Sequence, residues 1–175
     1  NYLDANLEKL KTDLVAGYVC TCLGDSGSFS IIRSKNMNNY AEKLALRTFQ
    51  KYKIDFNEFS FLERGSDERQ FLSPKVNLPF CTLTRTPFGK YPEYHTSLDN
   101  LDFISDTTMK KSLNCLARLV KTIESEMIPI SEHIGELFFT KYGLREKFDA
   151  GSVERKFKLI SDIVAYSDGS NDIKS

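Results

Sequence analysis

Two hydrophobic periods alternate along this chain, and that alternation restricts its fold more than any other feature. Leu3, Leu7, Leu10 and Leu14 recur at helical spacing and give one apolar stripe. The run VAGYVCTCLG (15–24) follows, short and rich in β-formers, and stops at the turn formers GDSGS (24–28). Asn38 or Asn39 then caps an expected helix to about Tyr52, with Leu44, Phe49 and Tyr52 on its inner face. In IDFNEF (54–59), Ile54 and Phe56 alternate with polar neighbours as in a strand, and LPFCTLTRT (78–86) is a second strand of β-formers. Ser105 or Asp106 caps a long helix whose apolar face is predicted to carry Met109, Leu113, Leu116, Leu119, Val120 and Ile123, and Pro129 ends it.

Helix and strand in alternation predict an α/β layered domain with a largely parallel central sheet over residues 1–128. Functional groups in such sheets gather in loops beyond the carboxyl ends of the strands. The loops around 24–28, 60–78 and 86–104 are therefore expected to converge at one sheet edge. After Pro129 the pattern changes to short helical stretches, ISEHIGELFFTKYGL (130–144) and SVERKFKLISDIVAY (152–166), ending in the turn SDGS. Residues 129–175 read as a helical linker and the start of a helix-turn-helix or winged-helix-like module.

Composition narrows the functional classes. The chain has 175 residues, 41% of them apolar, with 13 phenylalanines, which is ample for a core. Lys plus Arg total 24 and Asp plus Glu total 24, so no global charge recruits nucleic acid or an anionic membrane. No apolar run reaches the length that crosses a bilayer, and no membrane role is expected. Cys20, Cys22, Cys81 and Cys115 lie in apolar sequence without a C-x-x-C pair, which fits free thiols and a cytoplasmic location. The chain opens on Asn1 and reads as a fragment of a longer protein. Nothing in the residues decides against a homo-oligomer.

Chemistry-bearing residues concentrate in two loops. SDERQF (66–71) sets Asp67 and Glu68 beside Arg69, either as a solvated charge cluster or as a cleft carboxylate. EYHTSLDN (93–100) places His95 beside Tyr94, with Asp99 four residues on, where a turn would let it hold the second ring nitrogen of a ligand histidine. The other histidine, His133, has no such surroundings.

These stretches, GSDERQF, RTP and YPEYHTSLDN, with DLVAGYVCTCLGDSGSFS upstream, resemble the aminopeptidase-like zinc domain of bacterial proteins related to di-zinc aminopeptidases and glutamate carboxypeptidase. The resemblance covers residues 1 to about 128, and the tail from about 152 resembles the winged-helix segment that follows that domain. It implies a zinc site of one or two ions and a small peptide-like or amide substrate. His95 matches the last metal-ligand histidine, Asp67 an acid bordering the site, Arg85 an arginine for substrate carboxylates, and Tyr94 a residue lining the cleft. Where the superfamily ends a strand with a metal-binding aspartate, this chain has Cys22, with Asp25 three residues later, and both rank behind His95 as ligands. The remaining ligands and the general base would lie upstream of Asn1, so no catalytic residue is expected in the fragment and it would be inactive alone. The alternative is a non-catalytic binding or regulatory protein that keeps the peptidase fold. Genes of such proteins often occur among those for surface-polysaccharide synthesis.

Overall fold

A computed structural model describes residues 2–37, 39–63, 65–143 and 153–169. Its backbone divides into two units, 1–123 and 124–175. The first contains helix α1 (Tyr2–Asp13), strands β1 (Gly17–Cys20) and β2 (Phe29–Ile32), helix α2 (Tyr40–Lys51), strand β3 (Phe56–Phe59), a single helical turn α3 (Glu68–Phe71), strand β4 (Phe80–Thr84) and most of helix α4 (Asp106–Ser125).

The four strands form one sheet in the order β1-β4-β2-β3. β1 runs parallel to β4, with Gly17 opposite Phe80 and Cys20 opposite Leu83, and β2 runs parallel to β3, with Phe29 opposite Phe56. The two pairs meet antiparallel, Ser30 opposite Thr84 and Ile32 opposite Thr82. The fold is thus the expected α/β class with a mixed, mostly parallel sheet. β2 is the strand that the sequence conceals. It is four residues long and buried on both faces, so it shows no alternation of apolar and polar residues.

One sheet face builds the core. Phe29, Ile31, Cys81 and Leu83 pack against Ala41, Leu44, Ala45 and Phe49 of α2 and Cys115 and Leu119 of α4. Phe49 lies at the centre, 6.0 Å from the ring of Phe29 and 4.9 Å from that of Phe56. The spacing of the α2 residues puts them on one stripe, and the cap is Asn39, whose side-chain oxygen accepts from Glu42 N at 3.0 Å. The same side chain donates to Phe80 O at 2.8 Å, which joins the helix start to β4. Asn38, the other candidate cap, lies outside the described residues. At the sheet edge, a Cβ on Gly17 would stand 2.3 Å from the ring of Phe80, so only glycine lets the two strands approach there.

The opposite face is polar and equally buried. Ser30, Thr82 and Thr84 share it with the carboxylate of Glu68, which accepts from Thr82 Oγ1 at 2.8 Å and Ser66 N at 2.7 Å. Ser30 Oγ is buried with no hydrogen-bond partner among the described residues.

Ser105 precedes helix α4 and its hydroxyl accepts from Thr108 N, and the helix brings only part of its apolar stripe, Leu116, Leu119 and Ile123, to the core. The buried residues are Thr108, Ser112, Cys115, Leu119 and Thr122, whereas Met109, Leu113 and Val120 are exposed. The cause is polar. Ser112 Oγ accepts from Arg85 Nε at 2.9 Å and donates to Leu23 O at 2.7 Å, so the small hydroxyl side faces the sheet.

In the second unit, helix α5 (Val153–Ala165) follows the expected amphipathic stretch, and Phe157 meets Phe139 edge-to-face. Ile130 pairs antiparallel with Asp168. Residues 131–143 hold bends and turns where the sequence suggested a short helix; Gly135 and Gly143 adopt positive φ and break the helical path. The residues after the SDG turn, where a further helix was expected, lie outside the described residues. No helix among the described residues is long and apolar enough to cross a membrane.

Burial makes the core sensitive to alkali. It raises the Cys115 thiol to about 11, holds Cys81 well above the ordinary thiol value and raises the Tyr18 phenol. These groups stay neutral in the folded chain, while in the unfolded chain thiols ionise from about pH 8.5. Their contribution to stability is therefore complete below about pH 8.5 and is lost as pH rises through the folded values. Urea unfolding from pH 8 to 11 is expected to show falling stability, with a shallower fall in Cys115→Ala. A flat profile in the parent protein would refute this account.

Candidate functional site

Beyond the carboxyl end of β1, the chain leaves the sheet through Cys22, which takes a left-handed φ of 47°. Thr21 N still donates to Leu83 O, and Arg85 N donates to Cys22 O, so β1 and β4 remain stitched to the point of exit. The turn GDSGS is then clamped to the loop after β4 by one buried carboxylate. Asp25 accepts from Gly27 N at 2.7 Å, Thr86 Oγ1 at 2.7 Å and Thr86 N at 3.3 Å. A Cβ on Gly27 would stand 2.3 Å from Thr86 Oγ1, so the clamp closes only with glycine there.

The loop after β4 supplies the facing wall, built from stacked rings. Tyr91 stacks on Phe103 with centroids 5.0 Å apart, Tyr94 meets Tyr91 edge-on, and His95 stacks on Tyr94 at 4.0 Å and 17°. His95 is itself left-handed at φ 60°, a conformation uncommon for a residue with a side chain. Between the walls lies a cavity of about 520 Å³ that brings together Cys22, Asp25, Tyr91, Tyr94, His95 and Asp99. Of the seven residues that the sequence singled out, five line this one space.

The internal chemistry differs in detail from the expectation. No hydrogen bond joins Asp99 to His95; the 93–99 turn is closed by Thr96, which donates to Glu93 O and whose carbonyl accepts from Asp99 N. Tyr91 is the residue that sequence reasoning missed. Its hydroxyl donates to Cys22 Sγ at 3.4 Å. Burial, that hydrogen bond and the negative charges of Asp99 and Asp25 all push the phenol up, so it remains a neutral donor to the sulfur. A tyrosine in a Pro- and Tyr-rich loop carries no sequence signal for such a role.

The other two candidates lie elsewhere. Arg85 is almost fully buried against α4, where Nη1 donates to Gly27 O at 2.5 Å and the guanidinium covers the Phe29 ring at 4.4 Å. It lines a different cavity. Asp67 is exposed at the start of α3, and its side chain makes no cap hydrogen bond. The reason is topological. β2 and β3 run opposite to β4, so the 60–78 loop leaves from the other end of the sheet and does not converge with 24–28. Its link to the 86–104 loop is through Glu63 and Lys90, 3.5 Å apart.

A metal ion is only partly provided for. Among the described residues, no three His, Cys, Asp or Glu side chains come together in a way that could hold one. Asp25 is committed to its clamp and Cys22 Sγ accepts from Tyr91, which leaves His95 and Asp99 as the open donors on the cavity wall. The described residues therefore do not form a complete metal site.

The chain is thus an α/β domain with a mixed sheet and a histidine-bearing cavity beyond the carboxyl ends of β1 and β4. A crystal structure from Clostridium acetobutylicum, provisionally named a peptidase, superposes with a TM-score of 0.70 at 28% identity, covering 98% of this chain and 37% of its own. The chain belongs to the family described as a domain of unknown function, DUF4910, which matches residues 1–126. A further relative is 34% identical over 124 residues, 71% of this chain. It is a Clostridium acetobutylicum protein provisionally named for polysaccharide biosynthesis with an aminopeptidase-like domain. The chain spans 28% of that relative's length.

The clamp is testable separately from any ligand. Asp25→Ala removes a buried charged acceptor and leaves Thr86 and Gly27 without it, so a loss of about 3 kcal/mol is expected in chemical denaturation. An unchanged midpoint would show that Asp25 does not brace these loops.

Proposed function

We propose that this chain forms one wall of the active site of an aminopeptidase-like hydrolase, and that His95 is the zinc ligand this wall contributes. The observation that carries the reading is the placement of His95. Its ring is seated on Tyr94, its backbone is left-handed, and it shares the cavity with the open carboxylate of Asp99. The relative's name, with its aminopeptidase-like domain, agrees with this reading. A working zinc site takes three protein ligands and keeps one position for water or substrate. The further ligands and the general base would come from polypeptide outside these residues. Tyr91 and Tyr94 would shape the pocket for a peptide or amide, and Asp99 would ligate or orient; Arg85 and Asp67, which are not at this cavity, take no part. Zinc, when bound, would polarise the scissile carbonyl and activate water.

A second reading, a non-catalytic domain that keeps the fold, draws on Cys22 and Asp25. The positions nearest the superfamily's strand-end aspartate are both engaged in internal hydrogen bonds. In the second unit, α5 followed by a tight turn accords with the start of a winged-helix module.

Elemental analysis of the protein at its full natural length distinguishes these readings. His95→Ala is expected to lose most of the bound zinc and any hydrolysis of aminoacyl amides while keeping its fold by circular dichroism. Asp67→Asn is expected to keep its zinc. A full zinc complement in His95→Ala would overturn the ligand assignment. Zinc bound through His95 without turnover of any aminoacyl amide would favour the non-catalytic reading.

A further inference from the structure

A second cavity, of about 490 Å³, lies on the α4 side of the sheet, and its lining is strongly cationic. Arg85 is 6% exposed, yet no carboxylate pairs with it among the described residues; Ser112, Gly27 O and the Phe29 face hold it instead. A buried charge without a counter-ion is costly, and such groups are normally paired. Lys111 and Arg118 join it from α4. They are seven residues apart and so lie on the same side of the helix, and Arg118 is set over the Tyr52 ring at 4.8 Å. Against these three cations the lining offers one carboxylate, the exposed Asp55. The rim adds the exposed hydroxyls of Ser26 and Ser28, from the half of the GDSGS turn that does not line the His95 cavity.

We propose that this cavity binds a phosphate monoester, a dianion carried on a small organic body. The charge balance of the lining, three positive against one negative, calls for two negative charges. Guanidinium groups offer planar pairs of donors that match phosphate oxygens, the Lys111 ammonium adds a mobile point charge, and serine hydroxyls donate as well. The volume exceeds what a bare phosphate fills and lies within the usual range for small-molecule sites. Phe29 and Ile54 give the organic body an apolar wall. The site is separate from the His95 cavity and does not depend on zinc.

The test uses the 175-residue chain and glycerol phosphate as probe, followed by NMR and calorimetry, with sodium chloride at equal ionic strength as the control. Glycerol phosphate is expected to shift signals of Ser26–Ser28 and Lys111–Arg118. Lys111→Ala and Arg118→Ala are each expected to weaken binding about tenfold, the loss of one charge-assisted contact. Both side chains are exposed, so Lys111→Ala should leave the melting temperature of the free protein unchanged, and Arg118→Ala should lower it only by the loss of its contact with the Tyr52 ring. His95→Ala should bind the probe as the parent does, which separates this site from the hydrolase reading. Absence of shifts beyond the chloride control, or undiminished binding in the Lys111→Ala/Arg118→Ala double variant, would overturn the proposal. Succinate binding as tightly as glycerol phosphate would overturn the assignment to phosphate.

Discussion

The antiparallel junction of β2 with β4 governs the rest of this domain. Each strand also has a parallel neighbour, so the sheet consists of two parallel pairs that point in opposite directions. The carboxyl ends of β1 and β4 therefore share an edge with the amino ends of β2 and β3. At that edge the loop leaving β1 meets the loop leaving β4, and both cavities open beside the loop leaving β1. The carboxyl end of β3 and the loop that follows it belong to the other edge. The junction also sets which side chains share a face. Ile31 opposite Leu83 points into the apolar core, while Ser30 opposite Thr84 and Ile32 opposite Thr82 point to the polar face that Glu68 completes.

Much of this was legible from residues alone, for identifiable reasons. Helix α2 announced itself by a cap and a clean stripe, and Asn39, Leu44 and Phe49 took the expected places because local and tertiary demands agreed there. β2 was illegible because four residues buried on both faces carry no period. The sheet was rightly read as largely parallel, but that single omission hid its antiparallel junction and sent the 60–78 loop to the wrong edge, taking Asp67 with it. The helix α4 face was read correctly only in part: Leu116, Leu119 and Ile123 reach the core as expected, and the remainder fails for a different reason. Its apolar stripe is real, but Arg85 and Ser112 form a hydrogen bond that turns the small polar residues inward and leaves Met109, Leu113 and Val120 exposed. Periodicity records where apolar residues lie on a helix and is blind to a buried guanidinium that recruits the hydroxyl side. His95, Tyr94, Cys22, Asp25 and Asp99 were found together because loop residues next to strand ends are brought to one edge by topology alone.

The loop from Leu23 to Ser28 is the partition between the two cavities, and its hydrogen bonds run to both sides. Towards the His95 cavity, Asp25 holds Thr86, the second residue beyond β4. Towards α4, Gly27 O accepts from Arg85 and Leu23 O accepts from Ser112. Arg85 and Thr86 are adjacent in the chain, so one dipeptide is gripped from opposite sides by one turn. A displacement of the turn cannot relax one set of contacts without loading the other.

That arrangement gives the two cavities a physical means of coupling. A ligand drawing on the Arg85 guanidinium competes with Gly27 O and Ser112 for the same donors, and any shift of Gly27 is felt at the Asp25 carboxylate, which accepts from its N–H. Coupling between two sites is reciprocal, so if the turn transmits a displacement, a ligand in either cavity would alter affinity in the other by the same factor. The magnitude is set by how far the turn can move. Gly27 leaves it little room, since even a single methyl carbon there would collide with Thr86 Oγ1 and the Asp25 carboxylate. A partition so tightly packed favours transmission of small displacements over independent motion of the two walls, because closely packed groups shift together or not at all.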